Sequence, residues 1–177
     1  MDDRDLLTAE AKDPLNLRCS ALFLRDHSVL LCRRTDRENT WVLPGGTPHR
    51  GEGTAAAARR EVAEETGLEV AAERVAFVLE TTSWDAGHHL IEIVFVGSER
   101  DGSAEPEQRE PELAPAFVPL DDLDQIGLRP PIGGYIRGYA RSNRSAGDLR
   151  GSTAAYLGNV WRPADDEVPP AVPGLQL

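Results

Sequence analysis

An α/β fold is what this sequence predicts, on three observations. Residues 17–24 (LRCSALFL), 28–32 (SVLLC), 74–82 (RVAFVLETT) and 89–97 (HLIEIVFVG) are short apolar runs bounded by turn residues, the pattern of strands. Between the two pairs lies residues 54–66 (TAAAARREVAEET), whose alanines at 55–58 are the strongest helix formers available. A second helical stretch follows only after the last strand. With 177 residues the chain has the length for one domain with a well-buried core.

Taken in order, residues 1–15 read as a polar N-terminal segment. The first two strands are joined by the turn Arg25-Asp26-His27, and residues 35–40 form a charged loop. Trp41-Val42-Leu43 is a short strand stopped by Pro44-Gly45-Gly46, with Trp41 expected in the core. A Gly-rich loop then leads into the helix at 54–66. Thr54 has the side chain of an N-cap, and Gly67 suits the left-handed residue that ends a helix. The strand at 89–97 is largely apolar and therefore central, and residues 83–88 (SWDAGH) connect it to its predecessor.

Residues 99–114 carry six acids, Glu99, Asp101, Glu105, Glu107, Glu110 and Glu112, and no long apolar run; an exposed loop is expected. Phe117-Val118-Pro119-Leu120 is a last short strand. Asp121 is placed to cap a one-turn helix after it, and Pro131 to open a further helix through Tyr139. Beyond Arg141 the composition turns to Ser, Gly, Asn and Pro, and Pro163, Pro169, Pro170 and Pro173 prevent long regular structure. Only residues 153–161 there could dock, on the domain itself or on a neighbouring subunit. The chain thus divides into residues 1–15, a domain at 16–141 and a tail at 142–177.

The chemistry concentrates on residues 46–68, GTPHRGEGTAAAARREVAEETGL. Glu61, Glu64 and Glu65 stand at i, i+3 and i+4, so a helix gathers their carboxylates on one face. Ala57, one turn earlier, leaves open space beside them, while Ala55, Ala58 and Val62 form an adjoining stripe apolar enough to bury. A solvated acidic face with an ordinary Arg60–Glu64 pair accounts for many such runs. Close carboxylates also call for a countercharge, and Mg²⁺ takes carboxylate oxygens together with substrate phosphates.

The spacing separates these readings. Gly46, Glu52, Arg60-Glu61, Val62, Glu64, Glu65, Gly67 and Leu68 fit G-x5-E-x7-R-E-U-x-E-E-x-G-U, with U aliphatic, at every position. At ordinary residue usage such a match arises by chance on the order of once in ten million chains of this length. The segment resembles the box of the Nudix hydrolases, and the resemblance covers roughly residues 17–141.

That resemblance implies an α/β/α sandwich around a mixed sheet. It also implies divalent-metal-dependent hydrolysis, by water, of a nucleoside diphosphate linked to another group. Carried over by position, Glu61 and Glu65 are metal ligands, Glu64 a further ligand or a supporting acid, and the carbonyl of Gly46 an added oxygen. Arg60 orients Glu61. Glu52 sits at the mouth of the site, holding a metal-bound water or assisting as base. Glu112 or Glu110 resembles the downstream acid that completes the metal site, against the plain reading of a solvated charge. Mg²⁺ or Mn²⁺ is the implied cofactor, and a homodimer is common in the family.

Further candidates are weighed against ordinary roles. Arg33 and Arg37 could reach substrate phosphates or be plain surface arginines. Trp84 could stack on a base or pack. His88 and His89 are adjacent on a strand, so at most one faces the site. Family marks for ADP-ribose, diadenosine polyphosphate, coenzyme A and NADH hydrolases are absent, leaving nucleoside triphosphates and nucleotide sugars. Some members bind nucleotides as regulators without hydrolysing them; here the glutamates of the box are intact.

The net charge of −11 works against binding a nucleic-acid polymer, an affinity that rests on Lys and Arg displacing counterions. No apolar run approaches the ~20 residues of a membrane span. The acidic N-terminus lacks the basic start and apolar centre of a signal peptide. Cys19 and Cys32 are too few for a disulfide framework and are expected as buried thiols in strands. The composition points to a cytoplasmic protein with a small-molecule partner.

Overall fold

The computed structural model describes residues 15–83, 88–99, 104–145 and 154–160. The N-terminal segment to residue 14, Trp84, Asp101 and the prolines of the tail lie outside these residues. The chain runs β1 (Leu15–Arg25), β2 (Ser28–Arg34), β3 (Thr40–Val42), β4 (Gly45–Gly46), α1 (Thr54–Thr66), β5 (Val70–Ser83), β6 (His88–Glu99), β7 (Leu113–Pro119), a 3-10 turn (Leu120–Asp122), β8 (Gly127–Leu128), α2 (Gly133–Ser145) and β9 (Ala155–Asn159).

The strands form one mixed sheet in the order β8-β3-β2-β1-β6-β5-β9, with β4 on β1 and β7 on β2. β6 runs between β1 (parallel) and β5 (antiparallel), the central place its apolar sequence predicts. Asp26 and His27 have φ of 45° and 64°, so both central residues of the β1–β2 turn are left-handed. That is the turn whose twist matches two antiparallel strands, and it pairs Leu24 with Val29.

Alternation along the strands separates two cores. Leu22, Val29, Leu31, Leu79 and Val94 cluster with Ile132, Ile136 and Ala140 of the α2 region. Ala21, Phe23 and Leu30 pack with Val62 of α1, and Cys19 packs with Ala57, Ala58, Ala72 and Phe95. One helix therefore covers each face of the sheet, the α/β/α arrangement expected. Both cysteines are free and buried.

Several local expectations need correction. Thr54 does not cap α1: it is already helical, and Gly53 stands at the N-cap in an extended conformation with no side-chain bond. Gly67 ends the helix as expected, at φ 73° with its N–H on Ala63 O. Ala57 opens no space beside the acids, because it is fully buried. Gly45 and Gly46 do more than stop a strand, pairing with Ser20 and Cys19 of β1. α2 starts at Gly133, after Pro131, and continues past Tyr139 to Ser145. Asp121 lies within the 3-10 turn rather than capping it. The final strand begins at Leu113, inside the stretch expected as loop.

Of the stretch 153–161, the described residues 154–160 dock on their own domain. β9 runs parallel to β5, and Leu157 (6% exposed) and Val160 join the core under α2. Leu157→Ala should therefore lower the unfolding free energy by about 2–3 kcal/mol, as for other buried leucines. Urea unfolding measures this; a change near zero would mean that β9 is not part of the folded sheet in solution.

Candidate active site

The acids of α1 meet the sheet where β4 crosses β1. Small residues on both surfaces, Ala57 and Ala58 on the helix and Cys19 on the strand, let the backbones approach closely. The consequence appears at Gly46, where any Cβ would collide with the Glu61 carboxylate. Glycine at this position is what lets Glu61 lie against the chain as it leaves β4.

Arg60 is the hub of the outer part of the site. Its Nε and Nη2 each donate to one oxygen of Glu52 at 3.0 Å. Nη1 donates to Glu61 Oε1 and to Glu64 Oε2, both at 2.8 Å. Nη2 also reaches the Thr47 carbonyl at 3.2 Å. Glu52 additionally accepts from the His49 backbone N–H at 2.8 Å. These bonds, Arg60 first, hold the Glu52 carboxyl down at about 2, far below its ordinary value. The sequence linked Arg60 to Glu61 and, in the plain reading, to Glu64, and both contacts are present; the structure adds Glu52 and the loop backbone.

Glu65 has a different environment. It is 4% exposed, and its Oε2 accepts from the Gly45 backbone N–H at 3.0 Å. The Cys32 thiol lies 3.8 Å from the same oxygen. Burial pushes the Glu65 carboxyl up to about 7, with Glu61 and Glu110 adding to the rise, while Arg18 and the Gly45 N–H oppose it. Burial likewise pushes the Cys32 thiol far above its usual range.

Among the described residues no group of three His, Cys, Asp or Glu is gathered closely enough to hold a metal ion unaided. The donor set still suits Mg²⁺, which characteristically takes one or two carboxylates and completes its shell with water and substrate phosphate. Glu61 and Glu65 supply hard oxygens, and among the described residues no cationic side chain is in direct contact with the buried Glu65 carboxyl.

The remaining candidates separate clearly. Glu110 is half-buried and its charge acts on Glu65, whereas Glu112 is exposed and acts on Arg34. Arg33 is exposed on β2, and Arg37 is exposed with its Nε 3.9 Å from Asp36. Trp41 packs against the core. His89 is engaged with Glu80, 3.0 Å away. Trp84 lies outside the described residues, as does the side chain of His88.

A cavity of about 240 Å³ opens on the α2 face beside this site, between Arg18, Leu43, Thr81, Leu90, Glu92 and Pro130. Another, of about 190 Å³, lies at His27, Asp121 and Arg137 and shares no residue with the box. Sequence reading missed Arg18, Ser20, Glu92 and the Gly45 N–H. The available signal was Glu92 itself, an acid inside an otherwise apolar central strand.

Residues 15–137 match the family model of the NUDIX domain. The chain belongs to the Nudix hydrolase family. Its fold is shared with a MutT Nudix hydrolase from Burkholderia pseudomallei, 29% identical over 61% of this chain and 85% of that one, at a TM-score of 0.52. A MutT protein from Methanosarcina mazei Go1 is 24% identical over 76% and 99% of the two chains, at a TM-score of 0.62. An ADP-ribose pyrophosphatase from Streptococcus suis is 22% identical over 80% and 98%, at a TM-score of 0.58. The last two likenesses are of fold alone. Nudix hydrolases generally use divalent metal ions, in keeping with the oxygen donors gathered here.

The environment of Glu65 has a measurable consequence for the metal-free Nudix protein. Its folded-state pKa lies above the ordinary 4.5, so the folded chain holds this proton more tightly than the unfolded chain. The associated stability is complete below about pH 4.5 and is lost as pH rises through about 7. Its size is on the order of 3 kcal/mol. In chelator, Glu65→Gln should remove that component of the slope between pH 4.5 and 7; identical slopes in the two proteins would contradict the buried environment.

Proposed function

We propose that this chain hydrolyses a nucleoside diphosphate linked to another group, of the nucleoside triphosphate or nucleotide-sugar type, with Mg²⁺ or Mn²⁺. The observation that carries the reading is Glu65: a buried carboxylate with a raised pKa, set beside Glu61 at a glycine that keeps the approach open. A folded protein seldom keeps such a charge without a use.

In this reading Glu61 and Glu65, with the Gly46 carbonyl, hold the metal, and Glu110 is better placed than Glu112 to join them. The metal, when bound, polarises the phosphoryl oxygens and acidifies water. Arg60 fixes Glu61 and keeps Glu52 and Glu64 from repelling it. Glu52 is suited to hold the attacking water rather than take its proton, since its carboxyl is held near 2. Glu64, half exposed and bound to Arg60, stands beside these acids as a further ligand or a supporting acid. Arg33 and Arg37 stand on the exposed side as contacts for the outer phosphates, and Trp84 as a stacking platform. The cavity beside Leu43 receives the nucleoside.

The partner is therefore a small nucleotide derivative rather than a nucleic-acid polymer or a membrane. β9, an edge of the sheet with Tyr156 58% exposed, supplies a surface for a homodimer. The free buried thiols suit a cytoplasmic setting.

A panel of nucleoside triphosphates and nucleotide sugars, incubated with Mg²⁺ or Mn²⁺ and scored by product, tests the reading. Turnover should vanish in chelator and return with either metal. Binding without product across the panel would make the chain a nucleotide-binding regulator instead.

The same assay distinguishes the roles of the acids. Glu65→Gln removes a charge needed most as the phosphoryl group develops its own, and should lower kcat by about 10²–10³. Glu52→Gln should be milder if Glu52 only positions water, because an amide can still hydrogen-bond that water. Arg60→Gln should be partly rescued by higher metal concentration. Near-normal kcat in Glu65→Gln at low metal would remove that residue from the metal site.

A further inference from the structure

The wall of the cavity beside Leu43 carries Arg18 and Glu92, part of a polar group on the α2 face of the sheet. Glu92 on β6 is 2% exposed and Ser20 on β1 is fully buried. Ser20 Oγ donates to Glu92 Oε1, and Arg18 Nε lies 3.4 Å from that oxygen. The register makes this meeting unavoidable: Arg18 pairs with Glu92 across the parallel β1–β6 ladder, and Ser20 is two residues along on the same face. Further along, the same face of both strands is apolar, with Leu22 and Val94 in the core. Glu92 is buried and Arg18 partly so; taking such charges out of water is expensive, and apolar residues of similar volume commonly serve stability as well or better. The polar group therefore calls for an explanation beyond packing.

Its contacts supply one. Arg18 Nη2 donates to the Leu43 carbonyl at 3.0 Å. The Ala21 N–H, next to Ser20, donates to the Pro44 carbonyl at 3.0 Å. Ser20 pairs with Gly45, and a Cβ on Gly45 would run into the Ser20 side chain and backbone. Three successive residues, Leu43, Pro44 and Gly45, are thus braced by β1 at and around the charged group. Gly45 is the residue whose N–H holds Glu65, and Gly46 is the one against Glu61.

We infer that Glu92, acting through Arg18 and Ser20, is a positioning residue that sets the Leu43-Pro44-Gly45 backbone, and thereby the Gly45 N–H that orients Glu65. The side chain of Glu92 fixes Arg18, Arg18 fixes the Leu43 carbonyl, and Ser20 sets how closely Gly45 lies on β1. Support of this kind, one step removed from a ligand, commonly changes metal affinity or activity by about 10–100-fold. For its effect on turnover the inference rests on the hydrolase reading above; for its effect on Gly45 it does not.

The test uses the full chain in two parts. Amide hydrogen exchange of the metal-free protein reads the Gly45 N–H directly. Glu92→Gln should speed exchange at Gly45 by about 10-fold relative to the Val62 amide inside α1. Arg18→Met should do the same, Arg18→Lys should recover part of the protection, and the double variant should be no worse than either single change. Mn²⁺ binding, followed by electron paramagnetic resonance, should weaken in Glu92→Gln, and kcat should fall with KM nearly unchanged. Unchanged Gly45 exchange in both Glu92→Gln and Arg18→Met overturns the inference. So does a rise in KM alone with Mn²⁺ binding intact, which would make the group a reader of substrate. A wild-type chain that neither binds Mn²⁺ nor turns over any nucleotide would sink the hydrolase reading, while the exchange measurement would still decide the role of Glu92.

Discussion

The outer part of the site depends on one guanidinium. Arg60 has a planar fork of N–H donors, and it directs them to Glu52, Glu61, Glu64 and the Thr47 carbonyl. Without that positive charge the acids would repel one another across a single helical turn, and nothing equivalent would tie the Gly-rich loop to α1. A lysine could neutralise part of this charge but could not hold both oxygens of Glu52 while bridging two further carboxylates. The geometry of the loop and the electrostatics of the helix are therefore one feature.

Glu65 is what that guanidinium does not reach. It faces the sheet, where its partners are a backbone N–H and a thiol, and where the nearest opposing cation, Arg18, acts from the other side of the Leu43-Pro44-Gly45 segment. The site thus holds two kinds of acid. Glu52, Glu61 and Glu64 share the single positive charge of Arg60, while Glu65 is buried and bonds to a backbone N–H instead.

Close approach of backbone to backbone makes the division feasible. On the α1 face, alanines and Cys19 bring the helix down onto β1, so that β4 can reach both Glu61 and Glu65 with two adjacent glycines. On the α2 face the side chains are larger, with Leu22, Leu31, Leu79 and Ile136 filling the core. The cavity beside Leu43 lies where this packing ends. One face of the sheet serves the acids and the other leaves room beside them.

The helix and its glycine stop were legible in the sequence, because helical spacing and residue propensity act within a few positions. The central placing of β6 followed from its apolar run, and the burial of Cys19 and Cys32 from theirs. The capping of α1 by Gly53 and the start of α2 at Gly133 did not follow, since Thr54 and Pro131 carry the stronger local signals; that the segment 153–161 could dock was legible, but not that residues 155–159 would do so as a strand on β5. Within the site, the family pattern named Glu65 but could not distinguish it from Glu61 and Glu64. That distinction depends on the Gly45 N–H, Cys32 and Arg18, which belong to strands far away in sequence. Spacing along one helix determined which carboxylates stand together; only the tertiary structure decided which one is buried, because desolvation and Coulomb interactions depend on neighbours the local sequence does not contain.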